Sequence, residues 1–205
     1  MVTIDIDQIS KKYGRRFIFK KFSASLKANQ RYGIAGRNGS GKSSLMKIIS
    51  GYTTPSEGSI QYFANKKEIL VEDVFKEISF IAPYTNVPVQ LTWSELYDFH
   101  FSFQKTFQRL SKTDILTYFD LPSNIPISNF SSGMIQRVKL SLAFFSDTKI
   151  LLLDEPTETL DEQGIQDFRT LLDQYTKDRI VIIASNKAGD FIDTSTIFSI
   201  EDFQS

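Results

Sequence analysis

The residues Gly36-Arg37-Asn38-Gly39-Ser40-Gly41-Lys42-Ser43 bring glycines, a lysine and a serine into one short run. Glycines so spaced let the backbone turn its N–H groups inward, and the start of a following helix adds partial positive charge, which suits a chain of phosphates. In that arrangement Lys42 reaches the β- and γ-phosphates of a nucleoside triphosphate and the Ser43 hydroxyl binds Mg²⁺. A glycine-rich turn ahead of a helix is the plainer reading. An apolar strand before the run and a helical pattern after it favour the phosphate loop.

A second chemical feature is Ile150-Leu151-Leu152-Leu153-Asp154-Glu155-Pro156, an apolar run that ends in adjacent acids. A hard cation needs a carboxylate on a rigid support, which Asp154 supplies, and Glu155 is placed to polarise an attacking water as a general base. Taken alone, the pair also reads as an exposed strand end before a proline turn. Ser131-Ser132-Gly133 opens a third feature. A hydroxyl and backbone N–H groups at a helix start make a further anion site, or simply an N-cap.

These groups need a scaffold, and the hydrophobic pattern supplies one. Thr3–Ile9 alternates apolar and polar side chains, and Phe17–Leu26 and Gly58–Phe63 add further strands of an antiparallel, N-terminal sheet. The short apolar runs Arg31–Ala35, Ser79–Ala82, Ile150–Leu153 and Ile180–Ser185 read as buried parallel strands. Helical patterns fall between them at Lys42–Ile49, Trp93–Phe107, Ser132–Phe145 and Asp161–Tyr175, the last capped by Asp161. Ser111–Asp114 has the form of a capping box before a short helix ending near Asp120. Strands alternating with helices imply an α/β core with crossover connections.

The 205 residues contain no repeat or low-complexity linker, so one continuous domain, residues 1–205, is expected. Lys+Arg and Asp+Glu are equal at 24 each, so no global basic field attracts nucleic acid. Without cysteine, disulfides, thiolate nucleophiles and sulfur-rich metal sites are excluded, which suits a cytoplasmic location. The acidic start gives no export signal, and no apolar run approaches the roughly 20 residues that span a bilayer. Any membrane role then comes through a separate partner.

Gly36–Ser43, Asp154–Glu155 and Ser131–Arg137 together resemble the ABC ATPases. The third stretch is the discriminating one: the usual Leu-Ser-Gly-Gly-Gln stands here as Phe130-Ser131-Ser132-Gly133-Met134. The resemblance extends through Gly51–Ile60 and Leu160-Asp161. It implies a P-loop NTPase (RecA-like) core with an N-terminal antiparallel β subdomain and a helical subdomain over roughly residues 91–145. It further implies that ATP is held by Gly36 to Ser43 and Ser44, with Tyr13 stacked on adenine and Mg²⁺ on Ser43 and Asp154. Ser131, Ser132 and Gly133 would complete the ATP site of an opposite subunit, in a homodimer or heterodimer. The partner implied is a transmembrane permease subunit, which would place the chain peripherally on the inner face of the cell membrane.

Two positions depart from the family. Its glutamine after the strand at Ile78–Ala82 is here Pro83, which cannot supply a ligand, and Gln90 lies further along. Its γ-phosphate histidine is here Asn186, which donates a hydrogen bond but carries no charge. With Lys42, Glu155 and Asn186 as the catalytic set, the resemblance implies an ATPase that powers transport, slowed by these losses. A non-transport ABC ATPase and a weakly hydrolysing scaffold are the alternatives. His100, in an aromatic stretch, reads as structural.

Overall fold

The computed structural model describes residues 1–204. In chain order the elements are β1 (Val2–Tyr13), β2 (Arg16–Lys27), β3 (Gln30–Ala35), α1 (Lys42–Ile49), β4 (Glu57–Ala64), β5 (Lys67–Ile69) and β6 (Ile78–Ile81). They continue with α2 (Trp93–Phe101), α3 (Lys112–Thr117), α4 (Ser132–Phe145), β7 (Ile150–Asp154), α5 (Glu162–Tyr175), β8 (Ile180–Ser185) and β9 (Thr196–Ser199).

Along β1, Val2, Ile4 and Ile6 turn inward while Asp5 and Asp7 face solvent, the two-residue alternation of a half-buried strand. Gln8, with φ of 44°, interrupts the register, and Ile9 and Ser10 become the buried pair. This strand pairs antiparallel with β2 and β4, giving the order β2-β1-β4-β5. Gly58 permits the close approach of β4: its φ is 80°, and an added Cβ would lie 2.4 Å from the Asp7 carbonyl oxygen. The Tyr62 hydroxyl of β4 donates to Ile49 O at 2.9 Å, fixing the antiparallel sheet to the end of α1.

The second sheet is parallel, in the order β6-β7-β8-β3-β9. Every residue of β7 and β8 is buried, which is why these segments read as unbroken apolar runs. Their alternation divides the interior in two. Ile150, Leu152, Ile180 and Ile182 face α1 and the antiparallel sheet, whereas Leu151, Leu153, Val181 and Ile183 face α2, α4 and α5. Each such side chain contributes about 1.5–3 kcal/mol of burial, so the central strands are a rigid support for whatever projects from their ends.

The helical region differs from the sequence expectation at one end. The helix expected to run from Trp93 to Phe107 begins there, with Thr92 and Glu95 forming a capping box, but stops at Phe101. Phe107 is buried 4.1 Å beneath the Arg179 guanidinium and edge-on to Tyr175, so tertiary packing draws the chain out of helical geometry. Helix α3 has its Ser111–Asp114 capping box and ends at Thr117, short of Asp120. Asp161 caps α5 as expected, its Oδ1 accepting the Gly164 N–H at 2.8 Å. Strands β5 and β9 carry no strand signal in the sequence, being short and largely exposed.

Candidate nucleotide-binding site

Residues 36–41 join the end of β3 to the start of α1. Gly39 and Gly41 have φ of 80° and 110°, and a Cβ on Gly41 would lie 2.6 Å from Ile18 Cγ2, so neither conformation nor space admits a side chain there. No side chain caps α1 at Gly41, which leaves its first N–H groups for an anion. Lys42 is folded back over the loop: its Nζ donates to Gly36 O at 2.8 Å and Arg37 O at 3.2 Å. A cleft of about 360 Å³ opens here, lined by Asn38, Gly39, Gly41, Lys42, Ser43, Ser44 and Glu155 among others.

The acids close the cleft from the end of β7. Asp154 is buried, with Oδ1 unpartnered and Oδ2 accepting the Tyr84 hydroxyl at 3.4 Å. Burial raises its pKa; the nearby Ser43 hydroxyl opposes the rise, the Glu155 charge adds to it, and Lys42 and Tyr84 oppose it. An orphaned carboxylate oxygen beside a serine hydroxyl fits a Mg²⁺ ion, which takes one or two carboxylates and leaves its other positions to phosphate and water. Among the described residues no group of three or more histidines, cysteines or acids is arranged to hold a metal ion.

Glu155 has φ of 49°, left-handed backbone that costs a glutamate on the order of 1–3 kcal/mol and aims its side chain back at the loop. Its Oε1 lies 3.1 Å from Lys42 Nζ, a charge contact without hydrogen-bond alignment. Its Oε2 lies 3.2 Å from Ser185 Oγ and 3.4 Å from the Asn186 N–H. Asn186 in turn donates from Nδ2 to Asn38 Oδ1 at 3.1 Å, so strand end, acid and phosphate loop converge.

Ser131, Ser132 and Gly133 lie elsewhere, and none of them lines this cleft. The Ser131 hydroxyl caps α4, accepting the Met134 N–H at 3.2 Å. This helix start is fastened to the loop after the acids: Arg137 Nη2 meets Asp161 Oδ1 at 2.5 Å, and the space above Gly133 is bounded by Thr159 O, 3.1 Å from a Cβ built there.

The remaining expected residues are dispersed. Arg37 projects into solvent with 91% of its side chain exposed, while its N–H donates to Glu201 Oε1 at 3.1 Å. Ser40 is buried with its hydroxyl unpartnered. Tyr13, at the end of β1, is exposed and outside the cleft wall. Pro83 does line the cleft and Gln90 does not, so the structure offers no replacement for the missing glutamine at that wall. His100 is remote, bonded to Ser146 Oγ at 2.8 Å, and burial lowers its pKa. Tyr84 and Ser185 had no motif to announce them. Their meaning comes from folding that sets them against Asp154 and Glu155.

Comparison with known proteins accords with this geometry. The sequence profile of the ABC transporter family matches residues 19–158. A profile of the DNA polymerase III delta subunit matches residues 124–198, well under half of the chain. The uncharacterised ABC transporter ATP-binding protein YybJ of Bacillus subtilis is 31% identical over 199 residues, covering 92% of this chain and 88% of its own. The lantibiotic transport ATP-binding protein SrtF of Streptococcus pyogenes is 30% identical over 191 residues, covering 89% of this chain and 79% of its own. A solved ATP-binding subunit of an ABC transporter superposes with a TM-score of 0.80 at 20% identity, covering 96% of this chain and 86% of that one, a likeness of fold. The chain belongs to the ABC transporter family, as its ATP-binding, ATP-hydrolysing subunit.

Proposed function

We propose that residues 1–205 form one ABC ATPase domain that works as a pair, two chains closing head to tail on two ATP molecules with Mg²⁺. The observation that carries this reading is the separation of Ser131–Gly133 from the cleft that Lys42, Ser43, Ser44 and Glu155 line. A helix start with free N–H groups that lines no part of its own cleft can serve the loop of another chain. That chain is a second copy or a related subunit. Closure then drives a separate transmembrane permease, which holds the chain at the inner face of the membrane.

Each residue has a part in turnover. The loop N–H groups and Lys42 bind the triphosphate, and Tyr13 stacks on adenine once the nucleotide is seated. The γ-phosphate draws Lys42 from Glu155, freeing the carboxylate to accept a proton from the attacking water. Ser43 and Asp154 would hold Mg²⁺, which supplies neutralisation of phosphate charge when bound. Asn186 donates to the γ-phosphate without adding positive charge, and Pro83 offers no donor, so both slow hydrolysis relative to a site with glutamine and histidine.

The test is phosphate release from the purified chain with Mg²⁺·ATP at several protein concentrations, beside Lys42→Ala and Glu155→Gln. The rate per chain rises with concentration and vanishes in Lys42→Ala, and Glu155→Gln binds ATP but turns over about 10²–10⁴-fold more slowly. A rate per chain independent of concentration refutes the pairing, and a parental rate in Glu155→Gln refutes its role as base.

A further inference from the structure

Asp190 has no part in this scheme, yet it is only 4% exposed and shares the Ser185 hydroxyl with Glu155. A one-turn 3₁₀ helix, Ala188–Asp190, folds its carboxylate back under the end of β8. There Oδ1 accepts the Thr157 hydroxyl at 2.7 Å and Oδ2 accepts the Ser185 hydroxyl at 2.6 Å. Thr157 follows the acids, and Ser185 precedes Asn186 and also touches Glu155. Both hydroxyl-bearing residues are fully buried, at 2% and 0% exposure.

Among the described residues no basic side chain forms an ion pair with Asp190, and the neighbouring Lys187 directs its Nζ to Thr157 O at 3.5 Å. A buried carboxylate without a cation is costly, and a neutral amide would fill the same space at less cost. What the carboxylate alone offers is two oxygens that only accept. It takes both hydroxyl protons at once. Ser185 has a single proton, and its shorter bond runs to Asp190, while Oγ receives the Lys187 N–H at 3.0 Å. With an amide at Asp190, one hydroxyl meets an N–H donor and its rotor must turn away.

We propose that Asp190 is a positioning residue for hydrolysis. It clamps the loop after the acids to the loop bearing Asn186, and so holds Glu155 in its left-handed conformation against the cleft. Strained backbone at φ of 49° persists only where its surroundings over-determine it, and the Thr157–Asp190–Ser185 bridge is such a constraint. Loss of the bridge leaves ATP binding at the phosphate loop intact and misplaces the base. This rests on Glu155 being the base.

The experiment is steady-state and single-turnover ATP hydrolysis by Asp190→Asn, with melting and nucleotide affinity measured beside it. A kcat lower by about 10- to 100-fold with KM within about twofold supports the clamp. Combined with Glu155→Gln, the loss does not multiply, because both changes disable one function. Parental kcat in Asp190→Asn, a KM that rises as kcat falls, or losses that multiply would overturn it. Should Asp190→Asn fail to fold, Thr157→Val removes one hydroxyl at constant shape, and the same split of kcat from KM decides the matter. If Glu155→Gln itself turns over at the parental rate, the reading of the base fails. A slow Glu155→Gln beside a parental Asp190→Asn sinks the clamp alone.

Discussion

With one oxygen unpartnered and its pKa raised chiefly by burial, Asp154 opposes folding whenever it is ionised. Because its folded-state pKa lies above the unfolded value, its contribution is favourable below about pH 4 and is lost as the pH rises. Asp154→Asn should therefore raise the melting temperature of the nucleotide-free protein at pH 7, by the equivalent of about 1 kcal/mol, while hydrolysis collapses. Calorimetry without nucleotide checks this, and a variant that melts lower would mean that Tyr84 and Ser43 already satisfy the carboxylate. Lys42, Ser43, Asp154 and Glu155 were legible in the sequence because their chemistry is written in local spacing around one strand and one loop. Tyr84, Ser185 and Asp190 were not: hydroxyls and a lone acid carry no spacing of their own, and acquire a role only where three chain segments meet.

Among the elements, β8 depends on Arg179 just before its first residue. This guanidinium is 1% exposed; it donates to Phe144 O at 2.8 Å and to Ser146 O at the end of α4, and covers the Phe107 ring. Burial lowers its pKa to about 10, which leaves it charged at neutral pH. The charge sits against the carbonyl end of a helix, where a cation is favoured. Arg179→Ala removes charge-assisted bonds and the ring contact together, and should destabilise the protein by about 3 kcal/mol in urea unfolding. A loss under about 1 kcal/mol would show that the two carbonyls find other donors. The same contact explains why α2 stops at Phe101 although the helical pattern runs on to Phe107. The residues after Phe101 keep a helical pattern of apolar side chains, but Phe107 is claimed by a partner distant in sequence. The buried strands and the capped helix starts were legible because their signals are local.

For the molecule as a whole, the parallel sheet does two jobs with one alternation of side chains. One face anchors the antiparallel sheet and α1, the other the helical region, so cleft and Ser131 helix are held to a common frame. The clasp between Arg137 and Asp161 ties that helix start to the loop following Glu155. Mixing Lys42→Ala chains into the parental protein at constant total concentration is therefore informative. If two chains share each site, activity falls more steeply than the parental fraction; a straight line would mean that single chains turn over alone.

A helix start that lies outside its own chain's cleft also has a genetic meaning. A chain that cannot bind ATP still carries an intact Ser131–Gly133 to lend, and still occupies the partner it meets. Such an allele does not merely lack function; expressed beside a normal copy, it sequesters working chains in idle pairs. Loss-of-function substitutions in the phosphate loop should thus be dominant. Those that unfold the chain, and so never reach a partner, should be recessive.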